Sequence, residues 1–398
     1  MQTRIAESFL KTPEGREAEA ILRRCVHCGF CTATCPTYRL LGDERDSPRG
    51  RIYLIKQLFE DQPVGEHTRQ HLDHCLLCRS CETTCPSGVR YSRLLEIGRE
   101  TLEPRVGRPL WQRGYRALLR WAIPDATRFA RLLGMARRLR PLLPRTLREH
   151  VPPAKTAPAW PAPRHARRVI LPGGCAQPAL DPTIDAATAR VLDRLGISVI
   201  RAGGCCGAVD LHLSAREKAR ARARDNLAAW QPHLVAGAEA ILSNASGCGL
   251  MIKEYATLLP EDAQACNVAE RTLDLVELLE REDLSPLGQP GRGRRIVFHP
   301  PCTLQHGQKL AERVERLLKR LGFTLLPFAD SRLCCGAAGT YALTEPKIAT
   351  RLRDEKLNNL LAPEPECIAT ANIGCQTHLA GASNVPVVHW VTLLDAAG

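Results

Sequence analysis

The pattern of hydrophobic and polar positions divides the chain into a helical first part and a second part in which short apolar runs alternate with helices. In the first part, apolar residues recur at helical spacing within 48–61, and a helix is also predicted over 16–24. Two more stretches with helical spacing, 111–122 and 129–139, are rich in arginine and are bounded by prolines. The segment 151–161, rich in proline and alanine, predicts a semi-rigid linker.

In the second part, short β-rich runs such as 168–171 and 198–200 alternate with helical patterns. This alternation predicts parallel strands joined by crossover helices. The pattern is duplicated at an offset of about 127 residues, so that 295–298 repeats the first of these runs. One helix is predicted to begin with a capping box from Ser214 to Glu217. The sequence therefore predicts an α/β fold class, in which two repeated α/β domains with parallel strands follow an α-helical N-terminal module.

Cysteine content changes this picture, because the chain has 18 cysteines among 398 residues. A chain of this length with 44% hydrophobic residues can build a core without disulfides, so a disulfide scaffold is not expected. The sequence has no apolar run of signal-peptide length at its start and no stretch of about 20 apolar residues anywhere. We therefore expect a cytoplasmic, reducing location, where thiols serve mainly as metal ligands or redox groups.

Eight of the cysteines form the same run twice, with the spacing C-x2-C-x2-C-x3-C-P. In bacterial ferredoxins this run binds two [4Fe-4S] clusters, with the first three cysteines on one cluster and the fourth on the other. Zinc knuckles fit the third cysteine and the Cys-Pro ending poorly, because an all-cysteine zinc site uses two separated pairs. The predicted ligands are Cys25, Cys28, Cys31 and Cys85 for cluster 1, and Cys75, Cys78, Cys81 and Cys35 for cluster 2.

Eight further cysteines lie in the two repeats, four in each, and every one follows a predicted strand. The carboxyl ends of parallel strands meet at one edge of a sheet, so the four cysteines of a repeat can converge. Such a set can hold a further iron-sulfur centre or another metal, or its adjacent pair can act as a redox disulfide or as buried packing. The two sets are Cys175, Cys205, Cys206 and Cys248, and Cys302, Cys334, Cys335 and Cys375.

Other residues near these motifs have simpler interpretations. His299, His306 and His378 flank the second set and are candidate ligands or acid-base groups, although single histidines near loops more often have a structural role. Cys266 and Cys367 belong to no motif, so we interpret them as small apolar residues.

With these motifs, the whole chain resembles the iron-sulfur subunits of bacterial glycolate oxidases (glycolate dehydrogenases). The resemblance is detailed at 25–36, 48–56, 244–249 and 372–378. It implies that electrons pass from FAD in a flavoprotein partner subunit, where glycolate is oxidised to glyoxylate, to a quinone-type acceptor. It assigns no catalytic residue to this chain.

One departure from the wider family concerns the late cysteine of each repeat. Relatives with this domain end each repeat with Cys-x-x-Cys, whereas this chain has Ala245 and Asn372 at the first of those positions. Four thiols therefore remain in each repeat. Three alternatives stay open: an iron-sulfur subunit for lactate or glycerol 3-phosphate oxidation, a thiol-disulfide reductase that uses the Cys-Cys-Gly centres, and a scaffold held by zinc.

The net charge of +13 is concentrated in 105–148, which contains twelve arginines and one acidic residue, Asp125. With only 5% aromatic residues, the chain does not have the composition of a nucleic-acid-binding protein. Basic amphipathic helices can lie on an anionic membrane surface, here the inner face of the cell membrane, or can dock on an acidic flavoprotein. They can also pack on the N-terminal module and present a solvated arginine face. The prolines make the helices short, so packing or partner docking is favoured over membrane contact.

Four segments follow from these motifs. Residues 1–100 form a two-cluster ferredoxin-type domain, and 101–166 form the basic helical segment with the linker. Residues 167–285 and 292–398 form the first and second Cys-Cys-Gly repeat domains.

Overall fold

A computed structural model of the chain describes residues 1–142, 151–156 and 158–395. These residues form two compact units, Met1–Arg116 with Arg332–Leu352, and Ala117–Ser331 with Arg353–Gly398. Two arginines of the predicted basic segment, Arg145 and Arg148, and one residue of the predicted linker, Ala157, lie outside the described residues. No helix within the described ranges is long and apolar enough to cross a membrane. The domain boundaries given above stay a prediction.

The first unit is built from helices around one apolar core. Proline opens three of them, and in two the preceding hydroxyl side chain is the cap: Thr12 accepts from the backbone N–H of Gly15, and Ser47 accepts from that of Gly50. Leu22, Leu58 and Leu94 from three helices are fully buried in the core. The helices are Glu7–Leu10, Pro13–Arg24, Phe30–Ala33, Pro36–Leu41, Pro48–Phe59, Glu66–Asp73, Ser80–Thr84, Tyr91–Val106, Leu110–Ala122, which continues into the second unit, and Tyr341–Thr344.

The second unit contains two four-stranded sheets in which every pairing is parallel. The strand order is β2-β1-β3-β4 in the first sheet and β6-β5-β7-β8 in the second, so the two repeats have the same topology. This confirms the predicted fold class. The strands are β1 Arg167–Pro172, β2 Ile197–Ala202, β3 Ile241–Ser243, β4 Thr272–Asp274, β5 Arg295–His299, β6 Thr324–Leu325, β7 Cys367–Thr370 and β8 Val387–His389.

The helices of the second unit pack on these sheets, and one core joins both repeats. Val169 of β1, Leu242 of β3, Ile296 of β5 and Trp390 all belong to that core. Because the repeats share it, neither sheet is an independent layer. The helices are Ala126–Leu139, Gln177–Leu180, Thr183–Arg194, Ala208–His212, Arg216–Val235, Ser246–Lys253, Tyr255–Leu258, Ala263–Glu270, Leu275–Leu279, Ala311–Arg320, Pro346–Leu361, which begins in the first unit, Ile373–Ala380 and Trp390–Asp395.

The predicted capping box at Ser214 is wrong. The helix begins at Arg216 with Ala215 as its N-cap, and no side chain caps it. Ser214 lies one residue too early and has a left-handed backbone, with φ 58°. A true capping box occurs at Asp274 and Glu277, directly after β4.

Candidate metal centres

The first thiol group lies in the first unit, where Cys25, Cys28, Cys31 and Cys85 line one cavity. A left-handed turn at Gly29, with φ 84°, leads into the short helix that carries Cys31. Burial raises the pKa of Cys31 to about 11, and the neighbouring sulfur of Cys25 adds to the effect. Burial also raises the pKa of Cys25, the backbone N–H of His27 opposes this, and the sulfurs of Cys85 and Cys28 raise it further. Cys28 is exposed, so this site is open on one side.

The second thiol group consists of Cys35, Cys75, Cys78 and Cys81, which line another cavity of the same unit. Burial raises the pKa of Cys81 well above its ordinary value, and the sulfurs of Cys78, Cys75 and Cys35 add to the effect. The backbone N–H of Leu77 donates to Cys75 Sγ at 3.4 Å, which is one of the contacts that tunes a cluster. Cys81 also lines the first cavity. The division of the eight cysteines between two clusters stays a prediction, and sulfurs gathered around these two cavities fit iron-sulfur clusters.

A buried arginine lies beside the second thiol group. Arg51 is 1% exposed, and its Nη1 is 4.0 Å from Cys35 Sγ. Its guanidinium also donates to Thr37 Oγ1 at 3.1 Å, to Asp46 Oδ1 at 3.1 Å and to the carbonyl of His71 at 2.6 Å. Sequence reasoning missed this residue. The available signal was its position in the apolar stripe of the predicted helix 48–61, where a charge is unexpected.

The carboxylate that pairs with Arg51 has two histidine neighbours. Asp46 Oδ1 is 2.9 Å from His74 Nδ1 and 3.1 Å from His71 Nδ1. Burial by itself would raise the pKa of Asp46, but the hydrogen bonds from His74 and His71 and the charge of Arg51 hold it below its ordinary value. A charged network therefore lies beside the second thiol group.

The first repeat brings its four cysteines together. Cys175 follows β1, Cys205 and Cys206 follow β2, and Cys248 follows β3, so all four come from three adjacent strands. Cys205 accepts hydrogen bonds from Cys175 and Cys206, which lower its pKa to about 3. Cys206 is also hydrogen-bonded to Cys248. The backbone N–H of Gly207, at φ +91°, donates to Cys205 Sγ at 3.5 Å. Four sulfurs in contact are a donor set that fits a thiophilic metal or an iron-sulfur centre.

The cysteines of the second repeat are divided between the two units. Cys302 and Cys375 belong to the second unit, and Cys334 and Cys335 belong to the first. Cys334, Cys335 and Cys375 are buried, and Cys302 is half-buried. The backbone N–H of Gly336 donates to Cys334 Sγ at 3.5 Å, which matches the contact at Cys205.

The remaining sequence candidates have different environments. His299 and His306 are buried, whereas His378 is half-buried. Cys367 is buried in β7, as expected of a small apolar residue, but Cys266 is exposed on a helix.

The two positions that lack a cysteine begin equivalent helices. Ala245 is the N-cap of Ser246–Lys253 and offers no side-chain cap. Asn372 is the N-cap of Ile373–Ala380, and its side-chain oxygen accepts from the backbone N–H groups of Gly374 at 2.8 Å and Cys375 at 3.3 Å. Asn372 therefore has a structural role that a cysteine performs poorly.

The arginine-rich segment forms the predicted helices, but several of its arginines point inward. Arg108, just before the helix Leu110–Ala122, pairs with Asp73 at 2.6 Å and with Glu103 at 2.7 Å. Arg116 also pairs with Asp73, at 3.4 Å. The interpretation of a solvated arginine face is therefore wrong for these side chains.

Apolar side chains instead occupy much of the exposed face of this helix. Arg113 is a charged exposed residue among them. Large apolar groups in such a row indicate a contact surface, because soluble proteins seldom expose contiguous apolar patches. We call this row the apolar face: Leu110 (81% exposed), Trp111 (70%), Leu118 (53%) and Trp121 (50%).

Two family models match the chain. A 4Fe-4S dicluster domain matches 21–89, and a cysteine-rich domain matches twice, over 171–253 and 296–380. The fold and the thiol groups thus define an iron-sulfur protein with two [4Fe-4S] clusters in a dicluster domain, followed by two cysteine-rich domains.

Curated relatives identify the family within that class. The chain is 56% identical to the glycolate oxidase iron-sulfur subunit of Escherichia coli strain K12, and the match covers 100% of this chain and 99% of that protein. It is 29% identical to a probable glycolate oxidase iron-sulfur subunit of Bacillus subtilis strain 168, over 96% of both chains. Lactate utilization protein A of Bacillus pumilus is 27% identical over 56% of this chain and 96% of its own length. The chain belongs to the family of glycolate oxidase iron-sulfur subunits, which confirms the resemblance stated above.

Proposed function

We propose that this chain is the iron-sulfur electron-transfer subunit of a flavin-dependent glycolate oxidase, which converts glycolate to glyoxylate. The observation that carries this proposal is the full-length 56% identity to the E. coli subunit, together with two thiol groups of ferredoxin type in one unit. Bound [4Fe-4S] clusters supply one-electron carriers. FAD belongs to a flavoprotein partner subunit, the acceptor is of the quinone type, and this chain itself contains no substrate-oxidising residue.

Within this subunit, we assign the ligands as the spacing predicts. Cys25, Cys28, Cys31 and Cys85 hold cluster 1, and Cys75, Cys78, Cys81 and Cys35 hold cluster 2. Each cavity is lined by the four cysteines that we assign to its cluster, and Cys81 also lines the first cavity; this proximity of the sulfurs supports the assignment. Backbone and guanidinium donors such as Leu77 and Arg51 orient the sulfurs, and buried apolar side chains exclude water.

The first repeat is proposed to hold a further metal centre on Cys175, Cys205, Cys206 and Cys248. The alternative function, a thiol-disulfide reductase, needs a thiol that a substrate disulfide can reach. Cys175, Cys205 and Cys206 are all less than 9% exposed, which favours a bound metal over exchange with a substrate. Cys205→Ser tests this directly: loss of bound metal supports the centre, whereas unchanged metal content with lost disulfide reduction would support the reductase.

The apolar face is proposed as the docking surface for the flavoprotein subunit. A membrane surface is the other candidate, but attachment to anionic lipid needs basic side chains that face outward. Arg108 and Arg116 are instead bound to acidic residues within the first unit. Exposed tryptophans are also typical anchors of protein interfaces. The face therefore presents mainly apolar surface, and the cations beside it are the exposed Arg113 and the half-buried Arg128, whose guanidinium lies 4.6 Å from the ring centre of Trp121.

A double variant tests the docking surface. Trp111→Ser with Trp121→Ser should abolish co-purification with the flavoprotein and leave the iron content unchanged. Val235→Ser is the matched control, because Val235 is 77% exposed and lies elsewhere on the second unit. Retained co-purification, together with loss of binding to anionic vesicles in the double variant, would instead assign the face to the membrane.

Co-purification also tests the function as a whole. The chain, isolated anaerobically with its flavoprotein partner, should carry about eight iron and eight sulfide in its two ferredoxin-type clusters. Glycolate should bleach the visible absorbance of the clusters, and lactate or glycerol 3-phosphate should not. Bleaching by lactate alone would favour the lactate alternative. The similarity to lactate utilization protein A is the reason to test it.

A further inference from the structure

One histidine of the second repeat is buried without a hydrogen-bond partner. His299 ends β5 and is 1% exposed. Neither of its ring nitrogens has a hydrogen-bond partner among the residues that the structure describes. Burial lowers the pKa of His299 well below its ordinary value, and the charge of Lys356 lowers it further. A neutral imidazole has one nitrogen with a free lone pair. In a buried side chain that lone pair normally accepts a hydrogen bond or binds a metal.

A thiol of the repeat lies near this histidine within the second unit. A ring nitrogen of His299 and Cys375 Sγ lie within 4.8 Å of each other. Cys302 follows His299 by three residues, in the loop after β5. At this separation a metal ion can bind both atoms, since zinc or iron bonds to sulfur and to nitrogen are each about 2.0–2.3 Å long.

Asn372 stands where relatives have the first cysteine of the Cys-x-x-Cys pair, and its side chain is not available as a ligand. The side-chain oxygen of Asn372 accepts two backbone hydrogen bonds at the start of its helix, so it is already engaged. Its amide nitrogen donates to Ser246 Oγ at 3.4 Å. If a centre in this repeat has a fifth ligand, another residue would supply it.

The two repeats differ at this point. Cys302 corresponds to Cys175, and by the same offset His299 corresponds to Pro172, which has no side-chain donor. The extra donor is therefore present in the second repeat alone. A shared structural need of the fold would not explain it, because the first repeat has the same strand topology without a histidine.

We propose that His299 is a nitrogen ligand, together with Cys375, of a metal centre in the second repeat. The ligand chemistry is imidazole with thiolate, which suits zinc or an iron-sulfur centre. In an iron-sulfur centre, a histidine ligand raises the reduction potential relative to an all-cysteine centre. The inference concerns this chain alone and does not depend on the identity of the substrate or the flavoprotein.

Metal analysis of the full-length chain tests the proposal. Iron and zinc are counted after anaerobic purification of the unsubstituted protein and of His299→Ala, Cys375→Ser and His299→Cys. We expect His299→Ala to lose the same element, in the same amount, as Cys375→Ser, with the iron of the ferredoxin-type clusters retained. His299→Cys supplies a thiolate in place of the imidazole and should restore the lost metal.

His389→Gln is the matched control, because His389 is a fully buried histidine of the same unit whose Nδ1 accepts from the backbone N–H of Val391 at 3.2 Å. It should keep the full metal content. Spectroscopy gives a readout that needs no substitution. If the centre is iron, protein labelled with [15N]histidine should show nitrogen hyperfine coupling. If it is zinc, the extended X-ray absorption fine structure of the zinc should show a nitrogen shell. The proposal is overturned if His299→Ala keeps its metal, if Cys375→Ser loses none, or if no histidine nitrogen is detected at the metal.

Discussion

Removal of the buried cation at Arg51 should lower the reduction potential of the cluster that we assign to Cys35. Arg51 Nη1 is 4.0 Å from Cys35 Sγ, and its paired acid Asp46 is also buried. Reduction adds one negative charge to the cluster, and a neighbouring positive charge stabilises that charge. Arg51→Gln removes the positive charge and keeps a hydrogen-bond donor, whereas Asp46→Asn removes the opposing negative charge.

The size of the effect follows from the distance. Two unit charges 4 Å apart interact by about 4 kcal/mol at an effective dielectric constant of about 20. The added electron is spread over the whole cluster, so about half of this, ~2 kcal/mol, is a reasonable expectation. For a one-electron couple, 59 mV corresponds to about 1.4 kcal/mol, so the potential should fall by roughly 80 mV. The substitution also leaves Asp46 buried without its cation, which should destabilise the protein by about 3–5 kcal/mol.

Redox titration followed by electron paramagnetic resonance measures this shift. Arg51→Gln should move one of the two ferredoxin-type potentials downward, and Asp46→Asn should move the same potential upward. Arg51→Lys is the control, because it keeps the charge and should stay close to the unsubstituted value. Shifts of the same sign in Arg51→Gln and Asp46→Asn, or a shift below about 20 mV in both, would refute the electrostatic reasoning.

Four further substitutions test the second unit. Burial raises the pKa of Asp274 to about 6, so the stability that its protonated form contributes is present below about pH 4 and is lost as the pH rises through 6. Asp274→Asn should therefore raise the melting temperature at about pH 8, by a margin equivalent to about 2–3 kcal/mol, and by about half that margin at about pH 5; an equal gain at both would contradict this. Gly207→Ala should destabilise by about 1–2 kcal/mol and lower the metal content of the first repeat, because φ is +91° and the new Cβ would lie 3.1 Å from the carbonyl oxygen of Ala219. In thermal melts Cys367→Ser should destabilise by about 1–3 kcal/mol, whereas the exposed Cys266→Ser should change stability by less than about 0.5 kcal/mol; equal effects would overturn the burial argument.

Sequence patterns predicted the parts of this molecule that depend on spacing and periodicity. The two C-x2-C-x2-C-x3-C-P runs, the parallel strands and the duplicated repeat all follow from local rules. Two errors came from local rules that neighbouring residues override. Ser214 is a residue type that often caps helices, but its backbone is left-handed. Arg108 lies in a segment whose composition suggests solvated arginines, but it pairs with Asp73, 35 residues earlier in the chain.

The network at Arg51 was beyond prediction for the same reason. The network joins residues that are separated in sequence: Arg51, Asp46 and His74. Their spacing does not predict that the fold brings them together. The sequence likewise could not predict that His299 has no hydrogen-bond partner among the described residues, because this depends on which side chains pack around it. Long-range polar pairing, unlike hydrophobic periodicity, has no repeat that a single sequence displays.

The two ferredoxin-type sites are unequal, and that inequality gives a direction to electron flow within the first unit. The first thiol group opens to solvent at Cys28, with Val26 and Phe30 exposed beside it, whereas Cys35, Cys78 and Cys81 of the second group are buried. An exposed cluster edge is suited to exchange with another protein, because electron transfer needs close approach. The cation at Arg51 is buried beside the second site, whereas Arg49, which lines the first cavity, is 37% exposed and paired with Glu44, so its charge is better screened. Electrons that enter at cluster 1 should therefore come to rest on cluster 2, and Arg51→Gln should move the electron of the singly reduced protein towards cluster 1.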